Sequence, residues 1–204
     1  MTKRFLDKAY GARDAADTRT LYDEWASSYD SEVAGHGYAT PGRCADALMA
    51  HIRDPNQPIL DFGCGTGLSG LALGLRGFTC IDGVDLSAEM LERARAKTLY
   101  RKLDLIGPDT PLPHTPGDYA AIAAIGVIGA GAAPISVFDT LMAGLAPGGL
   151  LVFSFNDHAL QDPENQGRLD AYLACGTARL LFQEYGEHLP GIDLKSNVYV
   201  IEKT

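Results

Sequence analysis

The 204 residues carry 26 acidic against 17 basic side chains, a formal net charge of −9 and an isoelectric point near 4.9. That balance opposes a phosphate backbone, because nucleic-acid binders present a basic face that releases counterions. The length suits one α/β domain over residues 1–204 and is too short for a nucleotide domain joined to a separate substrate domain.

The opening MTKRFLDKAYGARD has no apolar core of signal-peptide length. Cys44, Cys64, Cys80 and Cys175 are scattered, with no C-x-x-C and no histidine at metal spacing, which predicts reduced thiols, a cytoplasmic protein and no metal site. The longest apolar run, 119–135, is alanine-rich and broken by glycines and a proline. It predicts a buried strand entering a loop and no membrane span.

Residues 1 to about 17 alternate in charge and predict an N-terminal arm. Over Thr20–Ser31 the spacing predicts a helix with Leu21, Trp25 and Ser28 on one face and Tyr22 and Tyr29 close to it. The plain reading is a helix packing its aromatics on the core; the functional one is a lid. Residues 35–42 form a loop by composition, in which His36 and Tyr38 could line an entrance. A helix follows, with Ala45, Leu48, Met49 and Ile52 as its apolar stripe.

Pro58–Gly67, PILDFGCGTG, predicts a strand closed by Asp61 that runs into a tight glycine loop. Behind it Leu68, Leu71, Ala72 and Leu75 recur as the inward stripe of a helix whose amides point at the loop. Gly65-x-Gly67-x-x-Gly70 formally matches the dinucleotide fingerprint. Asp61 argues against that match: a carboxylate there repels a pyrophosphate and suits a ligand carrying an ammonium and a sulfonium. The electrostatics favour S-adenosylmethionine over NAD. Thr79–Val84 predicts the next strand, with Asp85 placed to accept both hydroxyls of a ribose and Ser87 as the N-cap of the following helix.

In the helix 88–97, Met90, Leu91 and Ala94 face inward, with Met90 near an adenosine. Leu103–Ile106 and Tyr119–Val127 predict the third and fourth strands. A helix over Ile135, Phe138, Leu141, Met142 and Leu145 stops at Ala146-Pro-Gly-Gly149. Leu150–Phe155 is the fifth strand, and Asn156-Asp157-His158 lies past its C-terminal end, the ligand side of an open α/β sheet. His158 is the candidate general base there; a turn and helix cap is the plainer role. A polar helix over 164–174 precedes two last strands, 178–185 and 197–201.

ILDFGCGTG followed by GVDLSAEMLERARAK resembles the cofactor half of the class I S-adenosylmethionine-dependent methyltransferases. LYDEWASSYD, PGGLLVFSFNDHAL and LPGIDLKSNVYVIEK are similar to segments of the small methyltransferase-like proteins related to the one encoded in the Williams-Beuren syndrome region. The resemblance implies a Rossmann-like three-layer sandwich, its mostly parallel seven-stranded sheet ending in an antiparallel hairpin. Residues 1–40 would form an N-terminal helical arm or lid, with Tyr29 first, then Tyr22 and Trp25, against the sulfonium.

The resemblance also gives Asp109 a contact to the adenine amino group, although Pro108 stands where the family has glycine. Tyr119-Ala120 departs from the family's Phe-Asp or Tyr-Asp pair. The expected cofactor-binding set is Tyr22, Tyr29, Asp61, Gly63, Cys64, Gly65, Asp85, Leu86, Met90 and Asp109, with His158 catalytic. The expected activity is methyl transfer from S-adenosylmethionine to a small-molecule acceptor, without nucleic-acid or membrane partners; oligomeric state is left open. The alternative is an S-adenosylmethionine-binding regulatory or interaction protein without transferase activity.

Overall fold

The computed structural model describes residues 15–108, 110–112, 114–129 and 131–204. Two short helices come first, α1 (Ala15–Trp25) and α2 (Tyr29–Gly35), then α3 (Thr40–His51). Strands and helices then alternate: β1 (Ile59–Phe62), α4 (Leu68–Leu75), β2 (Ile81–Asp85), α5 (Ala88–Ala96), β3 (Lys102–Leu105) and β4 (Ala121–Ala124). Helix α6 (Val137–Gly144), β5 (Leu150–Asn156), α7 (Asp157–Gln161) and α8 (Pro163–Ala174) follow, and β6 (Ala178–Leu189) and β7 (Leu194–Lys203) end the chain.

The seven strands lie in the order β3-β2-β1-β4-β5-β7-β6. β1 to β5 pair in parallel, and β7 runs antiparallel between β5 and β6, so the hairpin expected from the resemblance is present. Both faces are covered. Ile59, Ala121, Ala123, Val152 and Val200 pack with α3 and α4, while their alternating neighbours Leu60, Ile122, Leu151, Phe153 and Ile201 pack with α6 to α8. Strands buried on both sides read as unbroken apolar runs, as ILDF and AIAA do. Among the described residues no helix is long and apolar enough to cross a membrane.

Three local expectations change. The helix expected over 20–31 is two helices, broken at residues 26–28. In one straight helix Trp25 and Val33 would stand about 12 Å apart along the axis. The break lets both enter one small core with Leu189 and Leu194. The inward stripe of α4 is rotated: Leu71 and Leu75 are exposed, at 38% and 70%, Ala72 is buried as expected, and Ser69 and Leu73 are buried in place of the leucines. The Tyr100 ring sets that rotation. Its hydroxyl accepts from Gly70 N at 3.1 Å, where a Cβ on Gly70 would lie 2.3 Å from it. The fourth strand stops at Ala124, because Gly126 turns to φ +70 and donates its N–H to Ser154 Oγ at 2.9 Å rather than to a ladder.

Candidate active site

β1 delivers the chain into residues 63–67 at the C-terminal edge of the parallel strands, where the connections after β1 and β4 lead to strands on opposite sides of this pair. Such a switch point opens a crevice. Gly63 and Gly65 sit at φ +67 and +53, a region disfavoured for other residues. A Cβ on Gly63 would lie 2.6 Å from Val127 Cγ2, whereas Gly65 faces open space, leaving its main chain approachable.

Asp85, the last residue of β2, holds this loop. Its Oδ2 accepts from Gly65 N at 2.8 Å and its Oδ1 from Ser87 N at 2.9 Å. Burial raises its pKa against those backbone hydrogen bonds. Ser87 Oγ in turn accepts from Met90 N, making it the N-cap of α5 as expected.

Asp61 lies inside β1, fully buried behind the loop and off the cleft surface. Its Oδ2 accepts from Ser69 Oγ at 2.6 Å and from Tyr100 Oη at 2.7 Å, and its Oδ1 has no partner among the described residues. Burial pushes its pKa up to about 7, partly offset by those two hydrogen bonds. A buried carboxylate oxygen without a donor is costly and calls for a cationic or hydrogen-bonding ligand.

The cleft in front encloses about 130 Å³. Tyr22, Tyr29, Gly63, Cys64, Gly65, Asp85, Leu86 and Met90 line it together with Ile106–Pro108, Gly126 and Val127. Eight of the expected cofactor residues thus converge on one surface, Asp61 stands behind it, and Asp109 lies outside the described residues. Trp25 does not reach the cleft: it is buried, and its Nε1 donates to Glu32 Oε2 at 2.9 Å. Its ring packs edge-on to Tyr29 at 4.7 Å and against Tyr22 at 5.7 Å, so the aromatic trio forms a roof.

Polar contacts tie that roof down. Lys97 Nζ donates to Asp30 Oδ2 at 2.7 Å and to Thr66 O at 2.6 Å, Thr66 Oγ1 donates to Asp30 Oδ1, and Ser87 Oγ donates to Asp23 Oδ1. The roles of Asp23, Asp30, Lys97 and Tyr100 carried no sequence signal, because each acts across segments distant in the chain. His158 is exposed on α7 and borders a wider outer cleft of about 990 Å³, which shares Phe62, Gly107, Pro108 and Ala132 with the inner one. It is not brought against the glycine loop.

A cofactor with an ammonium, a sulfonium and a ribose fits these residues: Asp61 offers an unpartnered oxygen, Asp85 lines the cleft, and Gly65 leaves its main chain open. Residues 37–191 match the family model described as a methyltransferase domain. Human methyltransferase-like protein 27 is 37% identical over 147 residues, covering 70% of this chain and 59% of that protein, so the chain spans under two thirds of that relative. A SAM-dependent methyltransferase from Leishmania major superposes with a TM-score of 0.67 at 18% identity, over 98% of this chain and 87% of that one. The [4+2]-cyclase SpnF gives 0.69 at 17% identity, over 94% and 97%. With the family model matched across most of its length, the chain belongs to the methyltransferase-domain family, and its cofactor is S-adenosylmethionine.

Proposed function

We propose that the chain transfers a methyl group to a small-molecule acceptor by in-line displacement. The observation that carries this reading is the pair of carboxylates behind and beside the glycine loop, Asp61 with its unpartnered Oδ1 and Asp85 on the cleft wall. Both repel a pyrophosphate and attract a cation. S-adenosylmethionine would supply a methyl group on a sulfonium that leaves as a neutral thioether.

The chain's own residues then bind and align. Asp61 attracts the ammonium from behind the loop, Asp85 holds the ribose hydroxyls, Leu86 and Met90 the adenosine, and the faces of Tyr29 and Tyr22 the sulfonium side. Lid residues of α1 and α2 exclude water. Alignment alone lowers such a barrier by roughly 7 to 11 kcal/mol, so a dedicated base is needed only for an acceptor that arrives protonated. For such an acceptor we keep His158, on the rim of the outer cleft, as the candidate base. The four unpaired cysteines fit a reducing compartment, and we place the activity in the cytoplasm.

Calorimetric titration with S-adenosylmethionine and S-adenosylhomocysteine, with NADH as control, tests the reading. Tight binding of the first two and none of NADH is expected; the reverse refutes it. A second reading, cofactor binding without methyl transfer, is favoured by the fold's likeness to a protein described as a cyclase. Formation of S-adenosylhomocysteine with any acceptor of a broad panel excludes it.

A further inference from the structure

A second, smaller chamber of about 60 Å³ opens off the cleft beneath the same roof; Tyr22, Tyr29, Tyr38, Gly126 and Ala132 border both spaces. It lies over the ends of β4 and β5, on the far side of β1 from Asp85. A cavity needs roughly 10 to 15 Å³ per water by this measure, so the chamber holds a few heavy atoms. Trp25, Val33, Ile128 and Leu189 give it apolar walls, and among the described residues no Asp, Glu, Lys or Arg lines it. Two of its polar side chains have their oxygens engaged: Ser154 Oγ accepts from Gly126 N and Asn156 Oδ1 from Ala159 N.

Besides these and the roof tyrosines the chamber is lined by His188, 6% exposed, its ring edge-on to Tyr38 at 5.2 Å. Its Nδ1 lies 2.8 Å from Thr40 Oγ1, which lies 2.9 Å from Ser196 Oγ, and Ser196 Oγ accepts from Arg43 Nη1 at 3.1 Å. Direction follows from counting. Arg43 can only donate, and Thr40 and Ser196 are fully buried with one hydroxyl hydrogen each. Both hydrogens find acceptors only if Ser196 donates to Thr40 and Thr40 to His188 Nδ1. The opposite direction leaves the serine hydrogen stranded in the core. Nδ1 is then the acceptor and Nε2 carries the proton; among the described residues Nε2 has no hydrogen-bond partner of its own.

We infer that the chamber is the acceptor subsite and that His188 is its specificity-determining residue, donating Nε2–H to a carbonyl or carboxylate oxygen of the methyl acceptor. This rests on the methyl-transfer reading above and narrows it to small acceptors bearing such an oxygen. The imidazole stays neutral over the working range: burial pushes its pKa down to about 4, with Arg43 on α3 and His158 on α7 lowering it and Asp157 on α7 opposing them. His188 is therefore a fixed donor and not a pH switch.

The test is imidazole NMR of the full chain saturated with S-adenosylhomocysteine, with acetamide as neutral carbonyl probe, acetate as anion and ethylammonium as control. Protonated Nε2 and bare Nδ1 are expected in His188 at neutral pH, with the Hε2 signal moving on addition of acetamide or acetate and unmoved by ethylammonium. The responding probe identifies the oxygen type. His188→Phe should raise the half-saturating probe concentration about tenfold, the worth of one buried hydrogen bond. His188→Gln, which keeps an N–H near the same place, should restore it to within about threefold. S-adenosylhomocysteine binding should change less than about twofold in either variant, since neither removes a cofactor contact. A proton on Nδ1, a probe effect equal for ethylammonium, or undiminished probe binding in His188→Phe overturns the inference. The first two readouts use the unsubstituted chain and decide even if a variant fails to fold. Failure of S-adenosylhomocysteine to bind that chain counts against the donor-site reading instead.

Discussion

Asp61→Asn is the most informative single change. Asparagine can keep its carbonyl oxygen toward Ser69 and Tyr100, where Oδ2 now accepts two hydrogen bonds, while the unpartnered Oδ1 becomes an uncharged amide. In the free protein the carboxyl titrates near 7. A ligand ammonium favours the carboxylate, so a proton must leave on binding whenever the pH is below that value. Affinity should therefore climb with pH and flatten above it: from about pH 5.5 to 7.0 the gain is about 16-fold, or ~1.6 kcal/mol. Calorimetry of S-adenosylmethionine binding across this range, in two buffers of different ionisation enthalpy, reads both slope and proton release. Asp61→Asn should bind at least about a hundredfold more weakly, having lost a buried charge pair, and should have lost the slope. Equal slopes in both proteins, or proton uptake on binding, would refute the assignment.

Asp61 also sets a stability trend. Burial raises its folded pKa above the usual carboxylate range, so its contribution is present below that range and is lost as pH rises through about 7. Urea denaturation of the unliganded protein should show Asp61→Asn the more stable at pH 8, by up to about 4 kcal/mol, with the gap closing toward pH 4. Asp85→Ala should weaken S-adenosylmethionine by about 2 to 3 kcal/mol in the same calorimeter, because it also releases the amides of Gly65 and Ser87. Gly63→Ala and Gly65→Ala should separate folding from binding: the first, strained and colliding with Val127, costs more than about 2 kcal/mol of stability, while the second costs about 1 and obstructs the cleft. Thermal melts and cofactor titration distinguish them. Lys97→Ala, which cuts a half-exposed ion pair to Asp30, should speed S-adenosylhomocysteine release two- to fivefold, or about 0.5 to 1 kcal/mol, in stopped flow.

What could be read from the chain is what is written locally. The glycine loop, Asp85 beside it and the serine cap of α5 each depend on a few adjacent residues and stand where the pattern put them, whereas Asp61, expected to close its strand, is buried within β1, which runs on to Phe62. The stripe of α4 did not follow its leucines, because Tyr100, thirty residues downstream of Gly70, fixes that helix's rotation. His188 carried no sequence signal at all. Its environment joins residues 40, 188 and 196, and only the antiparallel register of β6 and β7 brings the last two against α3. His158 drew notice because it follows a strand end, yet a five-residue helix carries it to the rim of the outer cleft.

The tyrosines of the roof border the donor cleft and the small chamber alike. One pair of short helices thus roofs two compartments at once, so on the proposed reading a single movement changes access for both ligands. Opening far enough to pass a nucleoside also floods the chamber, and closing early shuts the smaller molecule out. Productive closure then requires both ligands aboard, so initial-rate plots should intersect in the sequential pattern. The step that lifts the roof, rather than the methyl transfer beneath it, then becomes the natural clock of turnover.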